Sequence, residues 1–283
     1  KWDKTKYRDI YKLDYFPHRI IQHTLMNVIQ DVFLKSFISN TFASIPNRGI
    51  HLCLKKMGDD IKNDKEGTKY CLKMDIRKFY PNINHKILKE LLRRKVKDKD
   101  VLWLIDMIID SIDGNKGIAI GSLLSQWMGN FYLTYFDHWL KENKHIKYYY
   151  RYCDDLVILS DDKDFLHQIR KEIQQYLLNN LDLELKNNWQ VFPTKVRGID
   201  FVGYRYFVDY ILLRKSTAKN MKKKLKKIYK RCKRGISLTY SEWCSINSYN
   251  GRLKWCNGYH LYLKYIKPLE FYVNKYYMEE IKK

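Results

Sequence analysis

The amino-acid sequence contains no long apolar run and no targeting leader. No stretch of about 18 consecutive apolar residues occurs in it, which excludes a transmembrane helix. The chain does not open with a charged segment, an apolar segment and a small-residue cleavage site, so nothing predicts secretion. It also lacks internal repeats and low-complexity linkers. With 283 residues, 45% of them hydrophobic and 15% aromatic, the chain is long and apolar enough to bury a core.

Paired cysteines are missing as well. The six cysteines include no C-x-x-C pair, and most of them lie in apolar segments. This spacing argues against a disulfide framework or a structural zinc site, and it favours a reducing, cytoplasmic location.

Acidic residues are scarce relative to basic ones. The chain has 54 lysines and arginines against 31 aspartates and glutamates, which gives a formal net charge of +23. A surplus of this size indicates a polyanionic partner, either a nucleic acid or an anionic membrane. A protein that is simply rich in lysine, without such a partner, is the alternative.

Residues 214–234 concentrate this charge, with twelve lysines and arginines and no acidic residue. Apolar side chains recur within them at helical spacing, which predicts an amphipathic helix with one packed face and one cationic face. The apolar face lacks Trp and Phe, which argues against membrane binding.

The hydrophobic pattern alternates between helices and strands. Helices are expected at residues 18–37, about 85–95, 101–112, 122–142, 163–180 and 214–234, and over much of 240–283. Strands are expected at 70–76, 147–153 and 155–160, strands and turns at 181–213, and loops at 38–50 and 114–121. The turn Pro81–Asn84 is expected to cap the helix that follows it. Interleaved strands and helices predict an α+β core with an α-helical C-terminal lobe.

Three aspartates lie where predicted strands end. Asp75 ends one strand, and Asp154 and Asp155 lie at the tip of a later hairpin. Adjacent strand residues point to opposite faces, but the backbone turns at a hairpin tip, so at least one of the pair can approach Asp75. Two or three carboxylates at such a place form a hard-oxygen site suited to Mg²⁺, and two ions can clamp the oxygens of a phosphoryl transfer. An ordinary polar turn is the alternative.

These aspartates lie in segments that resemble motifs of reverse transcriptases. Tyr152–Asp155 (YCDD) resembles the YxDD box, and Lys73–Tyr80 (KMDIRKFY) resembles the first palm motif. Between them, Gly117–Gln126 (GIAIGSLLSQ) is similar to reverse transcriptases of diversity-generating retroelements and to some defence-associated bacterial relatives. Most retroelement polymerases carry Pro-Gln-Gly and then Ser-Pro here, whereas Ile120 takes the Gln place and Gln126 the Pro place.

Later segments agree with this resemblance, so that it spans nearly the whole chain in order. They are Trp189–Pro193, Arg197–Tyr204, Leu212–Ser216, and Ser248–Gly251 followed by Trp255. Ala119 departs from the proline that relatives often carry.

The resemblance implies a right-hand polymerase fold of the α+β class. The fingers would be residues 1–70, and the palm, an antiparallel sheet with helices, would be residues 71–210 with a fingers insertion at about 81–116. The thumb would be the basic helical region 211–283. Because the chain begins at Lys1 rather than Met, we expect the fingers to be incomplete at the N-terminus.

The resemblance further implies an RNA-directed DNA polymerase with two Mg²⁺ ions, for which Mn²⁺ can substitute. Asp75 and Asp154 would be the main metal ligands, with Asp155 as a neighbour or partial ligand and Ile76 lending its carbonyl. Tyr80 lies where the family keeps a bulky aromatic residue against the 2′ position of the sugar. Its ring would reject ribonucleotides, and packing in the core is the alternative.

Four further residues are expected to bind the nucleotide. The segment Lys6-x-Arg8-x-Ile10 resembles the fingers segment whose basic residues grip the incoming triphosphate, and Arg8 is favoured over Lys6 because a guanidinium can bind phosphate oxygens in bidentate fashion. Arg48, beside Gly49, is a second candidate for the same role. Ile120 and Gln126 would lie under the nascent base pair. The resemblance implies relaxed fidelity opposite template adenine, because Ile120 removes a polar contact. The alternatives are a solvated Arg8 and an Ile120 that only packs in the palm.

Phe201, Val202 and Gly203 would form the primer grip, where glycine permits close approach of the backbone. Some relatives carry a lysine that protonates pyrophosphate. Lys186 and Lys195 lie near that place without matching it, so the general acid stays unassigned.

The basic helix would follow the template–primer backbone through phosphate contacts that position without reading sequence. The residues expected to make these contacts are Arg214, Lys215, Lys222, Lys223, Lys226 and Lys230. The aromatic side chains of 240–277 would either stack on unpaired bases or pack the thumb.

Several interpretations of the biological role stay open. The first is a diversity-generating retroelement, whose enzyme copies a structured RNA from its own locus and works with a small basic accessory protein. An anti-phage defence reverse transcriptase is the second, and a group II intron type is the third. A non-catalytic nucleic-acid-binding protein is disfavoured because all three aspartates and Tyr80 are present. No membrane partner is expected.

Overall fold

The computed structural model describes residues 2–3, 6–7, 12 and 14–281. Its strands are β1 (Trp2–Asp3), β2 (Lys6–Tyr7), β3 (Tyr70–Asp75), β4 (Tyr148–Tyr152), β5 (Asp155–Ser160), β6 (Gln190–Pro193), β7 (Ile199–Phe201), β8 (Tyr204–Tyr206) and β9 (Ile211–Leu213). Its helices are α1 (Ile20–Ser36), α2 (Ile50–Asn63), α3 (Phe79–Asn82), α4 (His85–Lys95), α5 (Lys99–Asp110), α6 (Leu123–Tyr132), α7 (Thr134–His138), α8 (Lys163–Leu181), α9 (Thr194–Arg197), α10 (Lys215–Cys232), α11 (Tyr240–Leu253), α12 (Tyr259–Tyr265) and α13 (Glu270–Ile281). Short π-helical turns cover Tyr15–Arg19 and Trp139–Asn143, and a 3₁₀ turn covers Lys267–Leu269.

Two compact units make up the chain. One contains residues 1–53 and 66–192, and the other contains residues 54–65 and 193–283. The predicted boundaries of fingers, palm and thumb stay predictions.

A four-stranded sheet organises the first unit, with the order β4-β5-β3-β6. The β4–β5 hairpin is antiparallel, and β5 also pairs antiparallel with β3. Strands β4 and β5 are buried on both faces, because the consecutive residues Tyr149 and Tyr150 of β4 and Val157 and Ile158 of β5 all lie in the interior. Helix α8 packs against β3 and β5. The predicted α+β class is confirmed.

Local capping explains several helix starts. Asn84 precedes α4, and its side chain accepts a hydrogen bond from the backbone N–H of Ile87 at 3.3 Å, which confirms the predicted cap. Asp162 caps α8 in the same way through the N–H groups of Asp164 and Phe165. Both predicted helices therefore begin where a polar side chain can satisfy the first free N–H groups.

The prediction of one helix over residues 122–142 is wrong. Helix α6 ends at Tyr132, Leu133 adopts φ −94° and ψ 1°, and α7 and a π-helical turn follow. The apolar spacing continues through the break, because Phe136 and Leu140 are buried as well. The pattern of apolar residues therefore gives no sign that the helix changes direction.

Helix α10 is the basic amphipathic helix expected from residues 214–234. It buries Met221, Leu225, Ile228 and Cys232 and leaves most of its lysines exposed. The second unit also contains the antiparallel sheet β7-β8-β9, and helices α11 to α13 confirm the expected helical segment in broken form. Among the residues the structure describes, no helix is long and apolar enough to cross a membrane.

Candidate active site

Asp75 and Asp155 lie directly opposite each other on neighbouring antiparallel strands. Asp75 is the last residue of β3, and Asp155 is the first residue of β5. The backbone N–H of Ile76 donates to the carbonyl oxygen of Asp154 at 3.0 Å, which holds the third aspartate beside the end of β3. The structure therefore brings the three predicted aspartates to one edge of the sheet.

A tight turn carries two of these acids. Tyr152 pairs with Asp155, so Cys153 and Asp154 alone connect β4 to β5. Cys153 has φ +56°, in the left-handed region that few residues other than glycine adopt. Its carbonyl oxygen accepts a hydrogen bond of 3.2 Å from an Nη1–H of Arg151. The side chain of Arg151, on the preceding strand β4, thus stabilises the turn.

That side chain belongs to a buried network under the turn. Arg151 and Asp137 are both fully buried, and an Nη2–H of Arg151 donates to Asp137 Oδ2 at 2.6 Å. The hydroxyl of Tyr149 donates to Asp137 Oδ1 at 2.6 Å, Thr41 Oγ1 donates to Asp137 Oδ2 at 3.2 Å, and Arg151 Nη1 donates to Asn130 Oδ1 at 3.1 Å. Burial alone would lower the pKa of Arg151, but the charge and the hydrogen bonds of Asp137, together with Tyr149 and Cys153, raise it overall. The guanidinium therefore remains a buried cation, and its hydrogen bonds meet the usual requirement for burying a charge.

Two lysines contact the aspartates. Lys73 lies two residues before Asp75, on the same face of β3, and its Nζ is 3.3 Å from Asp155 Oδ2. Lys186 Nζ forms a close ion pair with Asp75 Oδ1, and its backbone N–H donates to the Asp75 carbonyl at 2.8 Å. Burial raises the pKa of Asp155 to about 6, against the lowering effect of Lys73 and with a further rise from Asp75 and Asp154.

The donor set fits a hard divalent cation. Asp155 Oδ1 is buried and has no hydrogen-bond partner, so an unsatisfied carboxylate oxygen lies at the site. A cation beside this oxygen would favour the ionised form of the buried carboxyl group, and carboxylate oxygens are the ligands that Mg²⁺ prefers. In the described part of the chain, no group of three or more His, Cys, Asp or Glu side chains is already arranged as a metal site. Lys186 and Lys73 contact Asp75 Oδ1 and Asp155 Oδ2, so a metal ion that bound these two oxygens would compete with the lysines.

Tyr80 lies beside the turn. Its hydroxyl is 3.4 Å from Cys153 Sγ, and its ring packs edge-on against Phe79, with centroids 5.3 Å apart. Burial, together with the neighbouring Cys153, raises the pKa of Tyr80 well above its usual value, so the phenol stays protonated. The backbone N–H of Ile118 donates to the Tyr80 carbonyl at 3.1 Å. This bond joins Tyr80, the residue expected to reject ribonucleotides, to the segment 117–126.

The segment 117–126 is fixed by further hydrogen bonds. The N–H of Gly117 donates to the Ile83 carbonyl at 2.8 Å, and the Gly117 carbonyl lies 2.6 Å from His85 Nε2. Ile120 is half-buried in the turn before α6, and Gln126 is half-buried on that helix. Their predicted roles under a base pair stay predictions.

Of the two arginines expected to bind the triphosphate, the structure describes Arg48. Arg48 donates from Nη1 to the carbonyl oxygens of Ile38 and Thr41, at 2.6 and 3.0 Å, and burial lowers its pKa. Its guanidinium holds the loop 38–48 together, and a triphosphate contact remains a prediction. Arg8 lies outside the residues that the structure describes.

The remaining predicted site residues lie in the second unit. Phe201 is buried at the end of β7, and Val202 and Gly203 form the turn to β8 with φ +43° and +90°. The N–H of Arg214 donates to the Gly203 carbonyl at 3.0 Å, and Arg214 Nε donates to Asp200 Oδ1 at 2.6 Å. The predicted phosphate-binding lysines all lie on α10, exposed or half-buried: Lys215, Lys222, Lys223, Lys226 and Lys230.

Residues 1–206 match a family model described as reverse transcriptase (RNA-dependent DNA polymerase). The chain belongs to the reverse transcriptase family. An apo telomerase from Candida tropicalis, truncated from its C-terminal domain, shares the fold at a TM-score of 0.51 and 15% identity, over 70% of this chain and 45% of that one. The predicted polymerase fold is thereby confirmed.

A curated relative matches a shorter part of the chain. The uncharacterized mitochondrial protein ymf11 of Marchantia polymorpha is 25% identical over 107 residues, which is 37% of this chain and 14% of that protein. The chain therefore spans less than half the length of either the plant protein or the telomerase chain.

Sequence reasoning missed two features of this site. The buried Arg151–Asp137 pair was not anticipated, although an arginine inside the apolar run Tyr148–Tyr152 is a signal, because a charge in a buried strand needs a partner. The contact of Lys73 with Asp155 was not anticipated either. Of the two lysines considered as general acid, Lys186 contacts Asp75, and Lys195 is exposed on α9 in the second unit.

Proposed function

We propose that the chain is an RNA-directed DNA polymerase that makes cDNA by nucleotidyl transfer at Asp75, Asp154 and Asp155. The observation that carries this proposal is the meeting of these aspartates at one sheet edge within a chain of the reverse transcriptase family. The unsatisfied Oδ1 of Asp155 supports a cation at the same place.

Asp75, Asp154 and Asp155, with the carbonyl of Ile76, are the groups that would hold two Mg²⁺ ions, for which Mn²⁺ can substitute. When bound, the ions lower the pKa of a primer hydroxyl and neutralise triphosphate charge. The protein itself supplies the rigid turn, because Arg151 fixes the Cys153 carbonyl next to both acids. Tyr80 then selects deoxynucleotides, since its half-buried ring stands beside that turn.

A nucleic acid is the proposed partner of α10. Its lysines supply positive charge without any acidic residue on the helix, and the whole chain carries a net charge of +23. Such a surface binds phosphates irrespective of base sequence. The Phe201–Gly203 turn is the proposed primer grip. We propose a cytoplasmic location, from the cysteine usage.

Within this activity, a diversity-generating retroelement is the favoured element type. The feature that supports it is the segment Gly117–Gln126, where Ile120 replaces the glutamine of most retroelement polymerases. The proposed partners are then a structured RNA from the same locus and a small basic accessory protein. An anti-phage defence enzyme is the alternative, followed by a group II intron type.

The deciding experiment is dNTP incorporation with Mg²⁺ on a primed RNA template. The Asp154→Ala/Asp155→Ala variant should make no product. The matched control is Asp161→Ala/Asp164→Ala, which removes two exposed carboxylates and should keep full synthesis. Synthesis that survives in the first variant contradicts the proposal. If the wild type is silent on a generic template, the assay is repeated with the RNA and accessory protein of its own locus, and silence there overturns the proposal as well.

A further inference from the structure

The hydroxyl of Tyr80 has an unusual partner. It lies 3.4 Å from the sulfur of Cys153, and the ring that carries it is half-buried. A tyrosine hydroxyl in such a place generally needs a hydrogen-bond partner. Burial raises the pKa of both the phenol and the thiol, so both groups stay protonated and either can donate.

Cys153 is a fixed point rather than a mobile surface thiol. Its backbone has φ +56°, and its carbonyl accepts from the buried guanidinium of Arg151 at 3.2 Å. The next residue, Asp154, is tied to β3 through the N–H of Ile76. The sulfur therefore has a defined position relative to the aspartates on the same turn.

The Tyr80 ring also lies against helix α6 at Gly129. A Cβ atom built on Gly129 would lie 3.2 Å from Tyr80 Cε1 and 3.3 Å from Phe79 Cε1. These distances are tighter than ordinary carbon–carbon contacts of about 3.5–4.0 Å. The two aromatic rings thus occupy the space that any larger residue at position 129 would need.

We propose that Cys153 and Gly129 are positioning residues that set how strictly Tyr80 discriminates between deoxyribonucleotides and ribonucleotides. Cys153, on the turn that carries the aspartates, hydrogen-bonds the phenol of Tyr80. Gly129, which has no side chain, leaves room for the Tyr80 ring to pack against α6. This inference rests on the proposed function, in which Tyr80 excludes the 2′-hydroxyl. The residue between the tyrosine and the aspartates of the YxDD box thereby links sugar selection to the metal-binding turn.

A double-mutant cycle tests the hydrogen bond. The variants are Cys153→Ala, Tyr80→Phe and the two combined, and the readout is the ratio of kcat/KM for dNTP to that for rNTP. Each single variant should lower this ratio by about 2- to 10-fold, the range expected for one hydrogen bond. The double variant should lower the ratio no further than either single variant does. Cys153→Ser should keep the wild-type ratio, because a hydroxyl group can still form the hydrogen bond.

Matched controls separate this effect from a general loss of structure. Cys256→Ala removes another half-buried cysteine, in the second unit, and should leave the ratio unchanged. Cys153→Gly also removes the hydrogen bond and suits the positive φ of this position, so it replaces Cys153→Ala if the alanine variant fails to fold. Circular dichroism establishes that each variant is folded before kinetics are compared.

Gly129→Ala tests the contact of the Tyr80 ring with helix α6. The added methyl should change the dNTP/rNTP ratio by at least about 2-fold in the wild-type background, because the ring must shift to accommodate it. It should have no such effect in a Tyr80→Ala background, where the ring of Tyr80 is absent.

The outcomes distinguish the two levels of the proposal. If the wild type incorporates dNTPs but the effects of Cys153→Ala and Tyr80→Phe are additive or absent, the positioning inference is overturned and the polymerase assignment stands. If the wild type incorporates no nucleotide even with the RNA and accessory protein of its own locus, the polymerase assignment itself is overturned.

Discussion

Lys73 and Asp155 pair across neighbouring strands of the sheet, with Lys73 Nζ 3.3 Å from Asp155 Oδ2. The lysine satisfies one carboxylate oxygen and leaves Oδ1 buried without a partner. Because the remaining neighbours of this carboxylate include Asp75 and Asp154, one lysine does not compensate for its burial, and its pKa stays raised. Lys73 alone therefore does not balance the burial and the negative charge around Asp155.

Asp155 should make the stability of the metal-free protein depend on pH. Its folded pKa of about 6 exceeds the ordinary value of 3.8, so the native state takes up the proton first as the pH falls. This group therefore contributes more stability as the pH drops from about 7 to about 4. Asp155→Asn should be more stable than the wild type at pH 7, by up to about 3 kcal/mol, and the difference should shrink towards pH 4.

Urea unfolding in EDTA at several pH values measures this effect. Asp161→Asn, which changes an exposed aspartate, is the control and should show no comparable trend. A gap between Asp155→Asn and wild type that stays constant with pH would contradict the prediction.

Lys186 should weaken divalent-metal binding, because its ammonium group occupies Asp75 Oδ1. Lys186→Met frees that oxygen and removes a nearby positive charge. We expect Mn²⁺ to bind several-fold more tightly to this variant, as measured by electron paramagnetic resonance titration of free Mn²⁺. Lys195→Met removes an exposed lysine of the second unit and should leave the affinity unchanged. Unchanged or weaker binding to Lys186→Met would show that the lysine does not compete with the metal ion.

Breaking the buried pair of Arg151 and Asp137 should destabilise the fold strongly. Arg151→Met leaves a buried carboxylate without its cation and should cost about 3–5 kcal/mol. Arg151→Lys should recover little of this, because an ammonium cannot reproduce the fork that binds both Asp137 and the Asn130 side chain. Chemical denaturation provides the measurement. Loss of less than about 1 kcal/mol in Arg151→Met would show that the pair is not essential to the fold.

The sequence predicted those parts of the candidate site in which a metal-binding residue type stands at a recognisable position of a strand. Asp75 and Asp155 each stand at the boundary of an apolar strand, and the antiparallel register then brings them opposite each other. The basic face of α10 was predictable for a similar reason, because Met221 and Leu225 recur at helical spacing among lysines.

The rest depends on contacts between distant parts of the chain. Arg151 contacts Asp137 on α7, a helix that follows a break at Leu133, and nothing in the apolar spacing marks that break. Helix α2 was not anticipated, although the buried residues Cys53, Met57 and Ile61 within it recur at helical spacing. That signal was present in the sequence, whereas the position of the break was not.

The lysines of α10 should carry salt-dependent binding to nucleic acid. Lys223→Gln/Lys226→Gln removes two exposed charges and should weaken binding to every RNA–DNA duplex by a similar factor. The slope of log K against log salt should fall in magnitude by roughly 1.5–2. Fluorescence anisotropy at several salt concentrations measures this. Lys163→Gln/Lys171→Gln, two exposed lysines on α8, is the control with the same loss of charge, and an equal change there would contradict the assignment to α10.

Ile120 should influence errors opposite template adenine. It is half-buried in the turn that precedes α6, in a segment hydrogen-bonded to the Tyr80 carbonyl through Ile118. An isoleucine offers no hydrogen bond to a nucleotide, so Ile120→Gln should supply a polar contact and lower misincorporation at adenine more than at the other bases. Sequencing of cDNA made on one RNA template measures all four error rates at once. Val196→Gln, which makes the same kind of change at an exposed position of the second unit, should alter none of them. If Ile120→Gln leaves the adenine error rate as it is, the identity of this residue is not what sets fidelity, and the support for a diversity-generating element over a defence enzyme is lost.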